Sequence, residues 1–312
     1  MTFERRGIVF TPHDLEGPAW VPLLAEAGLN LVGLHGDVDE VIAFTGSRAG
    51  RRFLEEAEAG GLAREYELHA MSWLLPRERF AEHPEWFRMD RHGERRPDAN
   101  LCPAHPEALA VVAARAVELA ERLPPSTERY YFWPDDAGGW CHCEACRGLT
   151  PSDQQVMVMN AILTALQGLR PAARLACLAY ANCLAAPTAV RPGPGLFLEY
   201  APIMRCYRHA FSDPSCALNR EHAAGLPSLL AAFGAEGAQV LEYWLDASMF
   251  SGWRRPARRV PFQPAVLAAD LAFYAGLGFR SATSFGVFLD ADYFAAHGPP
   301  PVAEYGRALR EA

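Results

Sequence analysis

Two adjacent carboxylates and three closely spaced cysteines occur together in the stretch 129–149, RYYFWPDDAGGWCHCEACRGL. The aromatic run 130–133 ends at Pro134 and is typical of a short buried strand. Asp135 and Asp136 follow at the end of that strand, where paired acids can serve acid/base catalysis or bind a metal. The stretch therefore predicts a catalytic acid, and we assign that role to Asp136.

Hydrolysis of a glycosidic bond needs a second carboxylate opposite the first. One stays protonated for the leaving oxygen, and the other is ionised to attack or to activate water. In QVLEYWLD (239–246), a period of two places Glu242, Trp244 and Asp246 on one face. If that face points into a barrel, Glu242 is the catalytic partner of Asp136, and Asp246 is the next choice. The other interpretation makes Glu242 a core acid paired with an arginine from the barrel floor.

Further acids, histidines and aromatic residues lie near the predicted strand ends. They are suited to bind hydroxyl or carboxylate groups or to stack on sugar rings, and arginine favours bidentate contacts. Each of them alone is equally well explained as a helix cap, a loop ion pair or core material. The predicted substrate-binding residues are His35, His69, Trp73, Asp135, Glu199, Arg205, His209, Tyr243, Trp244 and Asp246.

The cysteines give a more specific local pattern. The spacing CxCxxC is too tight for three ligands on one regular helix, but it suits a turn around a metal ion. A fourth cysteine from NLCPAHP would complete a closed, structural zinc site. The predicted ligands are Cys102, Cys141, Cys143 and Cys146, with His105 and His142 as substitutes. The alternative is four free thiols, and no organic cofactor is expected.

The composition of the whole chain excludes some classes of protein. Half of the 312 residues are hydrophobic and 21% are charged, which supports a substantial core. The formal net charge of −8 and the lack of a Lys/Arg run argue against a nucleic-acid partner. No window approaches the ~18 uninterrupted apolar residues of a membrane span. Eight cysteines without a signal-peptide stretch favour thiols or metal ligands over disulfides, so we expect a cytoplasmic protein.

Eight predicted strands alternate with helices, which indicates parallel pairing through βαβ units. Eight such units close a TIM barrel, for which ~250 residues is typical. The additional residues fall in enlarged loops at the C-terminal ends of strands, where barrel enzymes keep their active sites. A doubly wound open sheet is the alternative, but no Gly-rich phosphate motif follows the first strand. We expect a single α/β barrel domain over residues 1–312. Its predicted strands lie near 7–11, 29–34, 66–73, 130–133, 175–180, 196–200, 239–246 and 279–288.

Several stretches resemble a bacterial family known as domain of unknown function 4838, which is related to α-glucuronidase and hexosaminidase barrels. They are HPEWFRMDRHGERRPDANLCPAHPE (83–107), PDDAGGWCHCEAC (134–146) and RCYRHAFSDPSCALNR (205–220), which runs on to LEYWLD. The stretches occur in the same order as in the family. The resemblance implies a glycosidase-like barrel acting on a carbohydrate, with the acid at the end of strand four. By this analogy Asp136 is the general acid.

We therefore predict a glycoside hydrolase for a small-molecule or oligosaccharide substrate, with Asp136 as acid and Glu242 as base or nucleophile. One alternative is a metal-dependent barrel isomerase or hydrolase with His35, His69, Glu199 and Glu242 among its ligands. Another is a barrel that binds sugar without catalysis. Metal content distinguishes the first alternative, and sugar binding without turnover distinguishes the second.

Overall fold

The computed structural model describes residues 3–136 and 138–312, and its strands form a closed barrel in which every neighbouring pair is parallel. The chain thus has the α/β TIM-barrel fold that the alternation of strands and helices predicts. The strands are β1 (Arg5–Phe10), β2 (Leu31–Leu34), β3 (Ala63–His69), β4 (Arg129–Trp133), β5 (Arg174–Ala179), β6 (Leu196–Tyr200), β7 (Gln239–Glu242) and β8 (Ser281–Phe285).

Helices cover the outside of the barrel, and α5 and α6 pack on the outer faces of β3, β4 and β5 through residues such as Val112, Ile162 and Phe132. No helix within the described ranges has both the length and the hydropathy that a membrane crossing requires. The helices are α1 (Trp20–Glu26), α2 (Val38–Gly46), α3 (Arg48–Ala59), α4 (Met71–Leu74), α5 (Pro106–Arg122), α6 (Pro151–Leu169), α7 (Ala217–Ala224), α8 (Leu226–Phe233), α9 (Ala247–Phe250), α10 (Pro264–Gly276), α11 (Ala291–His297) and α12 (Val302–Glu311).

β3 and β7 end about four residues earlier than the sequence pattern predicts, and β8 ends about three residues earlier. β3 stops at His69, because residues 71–74 form the short helix α4. β7 stops at Glu242, and Asp246 caps α9 with its side chain. The sequence pattern did not reveal these ends, because an alternation of residue types over four or five positions is compatible with one short helical turn as well as with a strand. Helix α2 was not predicted, since β-branched residues and a terminal glycine weaken its helical pattern.

Side chains alternate along each strand between the barrel interior and the helical layer. On β7, Leu241 packs inside the barrel with Phe197 and Phe285. Val240 instead joins the outer cluster with Leu271 of α10. The same alternation acts on every strand, so neighbouring residues at a strand end face different environments.

The barrel interior contains charged and polar residues that pair with one another. Glu65 forms ion pairs with Arg5 and with Arg129, the latter at 3.6 Å. The Tyr131 hydroxyl lies 2.8 Å from Glu65 and 3.0 Å from Gln239. Because these groups satisfy each other, the charges are tolerated inside the barrel.

Glu67 is the exception in this interior. It is fully buried, and neither carboxylate oxygen has a hydrogen-bond partner among the described residues. Burial and the nearby Glu199 and Glu65 raise the pKa of Glu67 well above its usual range. Burial also raises the pKa of Glu199 to about 8. Glu67 therefore holds its proton more tightly than an ordinary glutamic acid, beside Glu199, whose pKa is also raised.

The Glu67→Gln variant tests this protonation. We expect its free energy of unfolding to exceed that of the wild type by at least about 1 kcal/mol at pH 8, because each unit of pKa shift is worth about 1.4 kcal/mol. The difference in the free energy of unfolding becomes smaller towards pH 5. The raised pKa of Glu67 in the folded wild type contributes stability at low pH, and this contribution is lost as the pH rises. Urea unfolding at both pH values measures the difference.

Glu65→Gln is the matched control, and we expect it to be destabilising at both pH values because Arg5 and Arg129 lose their ionised partner. If the Glu67→Gln variant is no more stable than the wild type at pH 8, the pKa of Glu67 is not raised as described.

Candidate active site

A cavity of about 370 Å³ opens at the C-terminal ends of the strands. This volume lies in the usual range for small-molecule sites. All eight strands or the loops that follow them contribute to its wall. The lining residues include Thr11, His35, His69, Trp133, Asp136, Leu178, Tyr180, Ala201, Ile203, Leu241, Tyr243, Asp246, Ser248, Trp253, Phe285 and Val287.

Two histidines on neighbouring strands form one side of the cavity. His35 Nδ1 lies 2.7 Å from the carbonyl oxygen of Glu67, and His69 Nδ1 contacts the carbonyl oxygen of Pro134. Because a carbonyl only accepts, each Nδ1 carries the hydrogen, which leaves Nε2 as the acceptor of a neutral ring. Burial, together with the neighbouring His69, lowers the pKa of His35 to about 4. His35 is therefore a neutral hydrogen-bond acceptor at physiological pH.

Asp136 and Asp246 are the two carboxylates of this cavity wall. Asp136 follows β4, and Asp246 follows β7, three strands further round the closed barrel. The two therefore approach the cavity from different sides. Asp246 Oδ1 accepts hydrogen bonds from the backbone N–H of Ser248 at 2.9 Å and of Met249 at 3.1 Å, and from the Ser248 hydroxyl at 2.6 Å. Burial raises the pKa of Asp246, while these hydrogen bonds oppose the rise.

Tyr180 and Trp253 are cavity residues that sequence reasoning missed. Burial and the charge of the nearby Asp136 raise the pKa of the Tyr180 phenol, so Tyr180 is a hydrogen-bond donor beside that acid. Its place at the end of predicted strand five could have selected it, as it selected Tyr243. Trp253 is 63% exposed at the rim and lies in a loop, where no periodic pattern indicates its direction.

The structure contradicts the expectation that Glu242 faces the cavity. Glu242 lies on the outward face of β7, fully buried, and accepts hydrogen bonds from Arg205 Nε at 2.9 Å and from the Tyr274 hydroxyl at 2.6 Å. Arg205 also pairs with Asp270 on α10. Alternation explains the error, because Leu241 and Tyr243 occupy the inward positions. The other interpretation is correct in making Glu242 a core acid paired with an arginine, but that arginine, Arg205, comes from the loop after β6 and not from the barrel floor.

Several predicted substrate-binding residues also lie away from the cavity. Trp244, two residues after the end of β7, points away from the cavity as Glu242 does and donates from Nε1 to Asp270 at 3.0 Å. The guanidinium of Arg205 forms ion pairs with the buried acids Glu242 and Asp270. Trp73 lies on α4, beneath the guanidinium of Arg115 at 4.2 Å. His209 lies in the loop after β6, beside Cys206.

Glu199 and Asp135 support the cavity without lining it. Glu199 lies inside the barrel and accepts a hydrogen bond from Trp133 Nε1 at 2.7 Å, which fixes the indole that forms the cavity wall. Asp135 accepts from the backbone of Ser72 at 2.9 Å and of Asn100 at 2.7 Å, and it pairs with Arg77. The predicted substrate-binding residues that do line the cavity are His35, His69, Tyr243 and Asp246.

The ligand set of the metalloenzyme alternative does not come together. Within residues 3–136 and 138–312, the groups of three or more metal-ligating side chains that share a site both contain cysteines, and neither includes a cavity residue. Glu199 and Glu242 are instead held by Trp133 and Arg205.

The four predicted zinc ligands do form one cluster. The Sγ atoms of Cys102, Cys141, Cys143 and Cys146 lie within 4.8 Å of one another. Cys102 Sγ is 3.7 Å from Cys143 Sγ and 4.0 Å from Cys146 Sγ. Tetrahedral zinc with Zn–S bonds of about 2.3 Å separates its sulfurs by about 3.8 Å. The donor set therefore fits a closed four-thiolate zinc site, and the spacing is far longer than the ~2.05 Å of a disulfide.

This cluster joins the loop after β3 to the loop that carries Asp136. Asn100, two residues before Cys102, donates its backbone N–H to Asp135 at 2.7 Å. The side-chain oxygen of Asn100 in turn accepts from the Asp135 backbone at 2.9 Å. These reciprocal bonds and the cysteines fix both ends of the short segment on which Asp136 lies.

Several solved structures that are similar to this chain are of glycoside hydrolases. The chain is similar to the catalytic domain of β-amylase from Paenibacillus polymyxa, with a TM-score of 0.55 and 9% identity over 99% of this chain and 98% of that one. An endo-β-1,4-glucanase from Xanthomonas axonopodis pv. citri gives 0.54 and 8%, covering 98% of both chains. The full-length endo-β-1,4-glucanase B of Bacillus halodurans gives 0.55 and 10% over 100% of this chain and 60% of that one.

At these identities the likeness shows the fold alone, a TIM barrel. The chain belongs to the family described as domain of unknown function (DUF4838), whose profile matches residues 45–223. No curated protein matches it.

Replacing Arg205 by methionine tests the structural role of the group around Glu242. The variant leaves the buried carboxyls of Glu242 and Asp270 without their cation, so we expect the free energy of unfolding at pH 7 to fall by about 3–5 kcal/mol. Arg208→Met, an exposed position in the same loop, should change it by less than about 0.5 kcal/mol. Urea unfolding measures both, and an Arg205→Met variant of wild-type stability would refute the structural role.

Proposed function

We propose that this protein is a glycoside hydrolase in which Asp136 and Asp246 are the catalytic carboxylates. The observation that carries the proposal is that both acids line one aromatic cavity at the C-terminal end of the barrel, from β4 and β7. Asp246 replaces Glu242, which the alternation of β7 turns towards α10.

The surroundings of the two acids suit different roles. Asp136 is the general acid that protonates the leaving oxygen, with the Tyr180 hydroxyl beside it. Asp246 acts as the ionised partner, because three hydrogen bonds converge on its Oδ1 and stabilise the charge against burial. It would attack the anomeric carbon or activate water. Activity should therefore fall at acidic pH, where Asp246 gains its proton at a pKa above the usual one.

The rest of the cavity suits a sugar ring. Trp133, Tyr243 and Phe285 offer apolar surfaces to the C–H faces of a ring, while His35 Nε2 can accept a hydrogen bond from a hydroxyl. Trp253 exposes a large apolar surface at the rim, where a bound sugar would cover it. This mixture of aromatic walls and a few fixed polar atoms is typical of small-molecule sites.

We also propose that the four-cysteine cluster holds zinc with a structural role. Four thiolates leave no open position for a substrate or water. The ion would hold the loops after β3 and β4 together, and the chain's own acids would carry the catalytic steps.

Asn substitutions at Asp136 and at Asp246 test the catalytic pair. We expect each to lower kcat by about 10²–10⁴-fold, because the amide can neither donate nor accept the transferred proton. A panel of 4-nitrophenyl glycosides identifies a substrate for the wild type, and circular dichroism checks the fold of each variant. Asp292→Asn, at an exposed site on α11, is the control and should retain full activity.

The outcomes separate the competing functions. A folded Asp136→Asn variant with full activity would refute the assignment of the acid. Calorimetric sugar binding without turnover in the wild type, unchanged by both substitutions, would instead indicate a sugar-binding barrel.

Elemental analysis tests the zinc site. We expect Cys143→Ser to lose the zinc bound by the cluster and to lower the unfolding temperature, because metal binding contributes to folding. Cys183→Ser, at a buried cysteine outside the cluster, should leave the zinc content unchanged. Equal zinc content in the wild type and Cys143→Ser would contradict the proposed site.

A further inference from the structure

The loop after β6 holds a second group of metal-ligating side chains. Cys206, His209 and Cys216 bring two sulfurs and a ring nitrogen within 4.8 Å of one another. Cys206 Sγ lies 3.3 Å from His209 Nδ1. The group shares no residue with the four-cysteine cluster and none with the cavity wall. Neither catalysis nor the first zinc site accounts for it.

A single buried amide holds the backbone of this loop in place. Asn219 on α7 is fully buried. Its Nδ2 lies within hydrogen-bond distance of the carbonyl oxygens of Cys206 at 3.0 Å, His209 at 3.1 Å and Ala210 at 3.0 Å. Its Oδ1 accepts from the Cys206 backbone N–H at 2.8 Å. Two of the three ligand-bearing residues are thus positioned by protein contacts, as preorganised metal sites require.

We propose that Cys206, His209 and Cys216 bind one zinc ion through two thiolates and the imidazole Nδ1. Tetrahedral zinc places a sulfur and a nitrogen ligand about 3.5 Å apart, close to the 3.3 Å between Cys206 and His209. Two sulfurs and one imidazole suit zinc and exclude a hard cation such as magnesium. Binding releases the protons of the two thiols.

The fourth position of this ion is open to solvent. Cys216 is buried, Cys206 is partly buried and His209 is exposed, so the cluster lies at the surface with one side uncovered. Water or an external ligand would complete the tetrahedron, in contrast to the closed four-thiolate site. This site should therefore bind zinc more weakly and release it first to a chelator.

The ion would fasten a loop that forms part of the cavity wall. Ala201 and Ile203, at the start of the loop, line the cavity. Arg205 then anchors the chain to Glu242 and Asp270. The zinc would close the remaining part of the loop, from Cys206 to the start of α7, so we assign it a positioning role.

Zinc counting on the full-length protein tests the proposal. The reduced protein is loaded with zinc sulfate, passed through a desalting column and measured by plasma mass spectrometry. We expect two zinc ions per chain in the wild type and one in His209→Ala, whose exposed side chain can be removed without disturbing the core. Cys206→Ser should also retain one. Arg208→Ala, a neighbouring exposed position, should keep two.

Further arms separate this site from the four-cysteine cluster and from oxidation. Cys143→Ser should retain one zinc, and a double variant with His209→Ala should retain none. In the wild type, a limiting concentration of EDTA should remove one ion rapidly and the other slowly. A zinc content unaffected by both His209→Ala and Cys206→Ser would overturn the proposal. It would also be overturned if the reduced wild type bound no second zinc while the oxidised protein formed a Cys206–Cys216 disulfide.

Discussion

Closure of eight parallel strands into a barrel imposes the constraint on which the site depends. Each strand must divide its side chains between a narrow interior and a helical layer, so a shift of one residue transfers a side chain from one environment to the other. In β7 and the residue that follows it, this division sends Leu241 and Tyr243 to the cavity and Glu242 to Tyr274 and Arg205. A carboxylate can therefore belong to the active end of a strand and still have a purely structural partner.

Fixation of the loops above the barrel is the second requirement, because loops on their own do not hold catalytic groups in place. The loop of Asp136 is tied by the reciprocal bonds of Asp135 and Asn100 and by the four cysteines. Asp246 is held by the first turn of α9, whose backbone N–H groups donate hydrogen bonds to its carboxylate. Both acids are thus oriented by short local networks attached to the rigid barrel, as preorganised sites require.

The barrel interior links these parts from below. Glu199 binds the indole of Trp133, so an acid of the interior orients an aromatic residue of the cavity. Glu67 fixes His35 through its backbone carbonyl, while burial and the neighbouring acids raise the pKa of its own carboxyl. The polar interior therefore supports the cavity wall as well as the fold.

The sequence alone determined the order of the eight strands, the barrel and the cysteine cluster, because hydrophobic periodicity and the CxCxxC spacing are local properties. It also brought His35, His69, Asp136 and Tyr243 to the cavity, since the C-terminal ends of parallel strands meet at one end of a barrel. Only the tertiary structure showed that Asp246 lines the cavity and that Glu242 points away from it. A period of two shows which residues share a face, but it does not show which face points inwards, and β7 ends before Asp246. The partners of Arg205, Trp244 and Asp135 likewise come from distant segments. Contacts between distant segments cannot be predicted from the spacing of neighbouring residues.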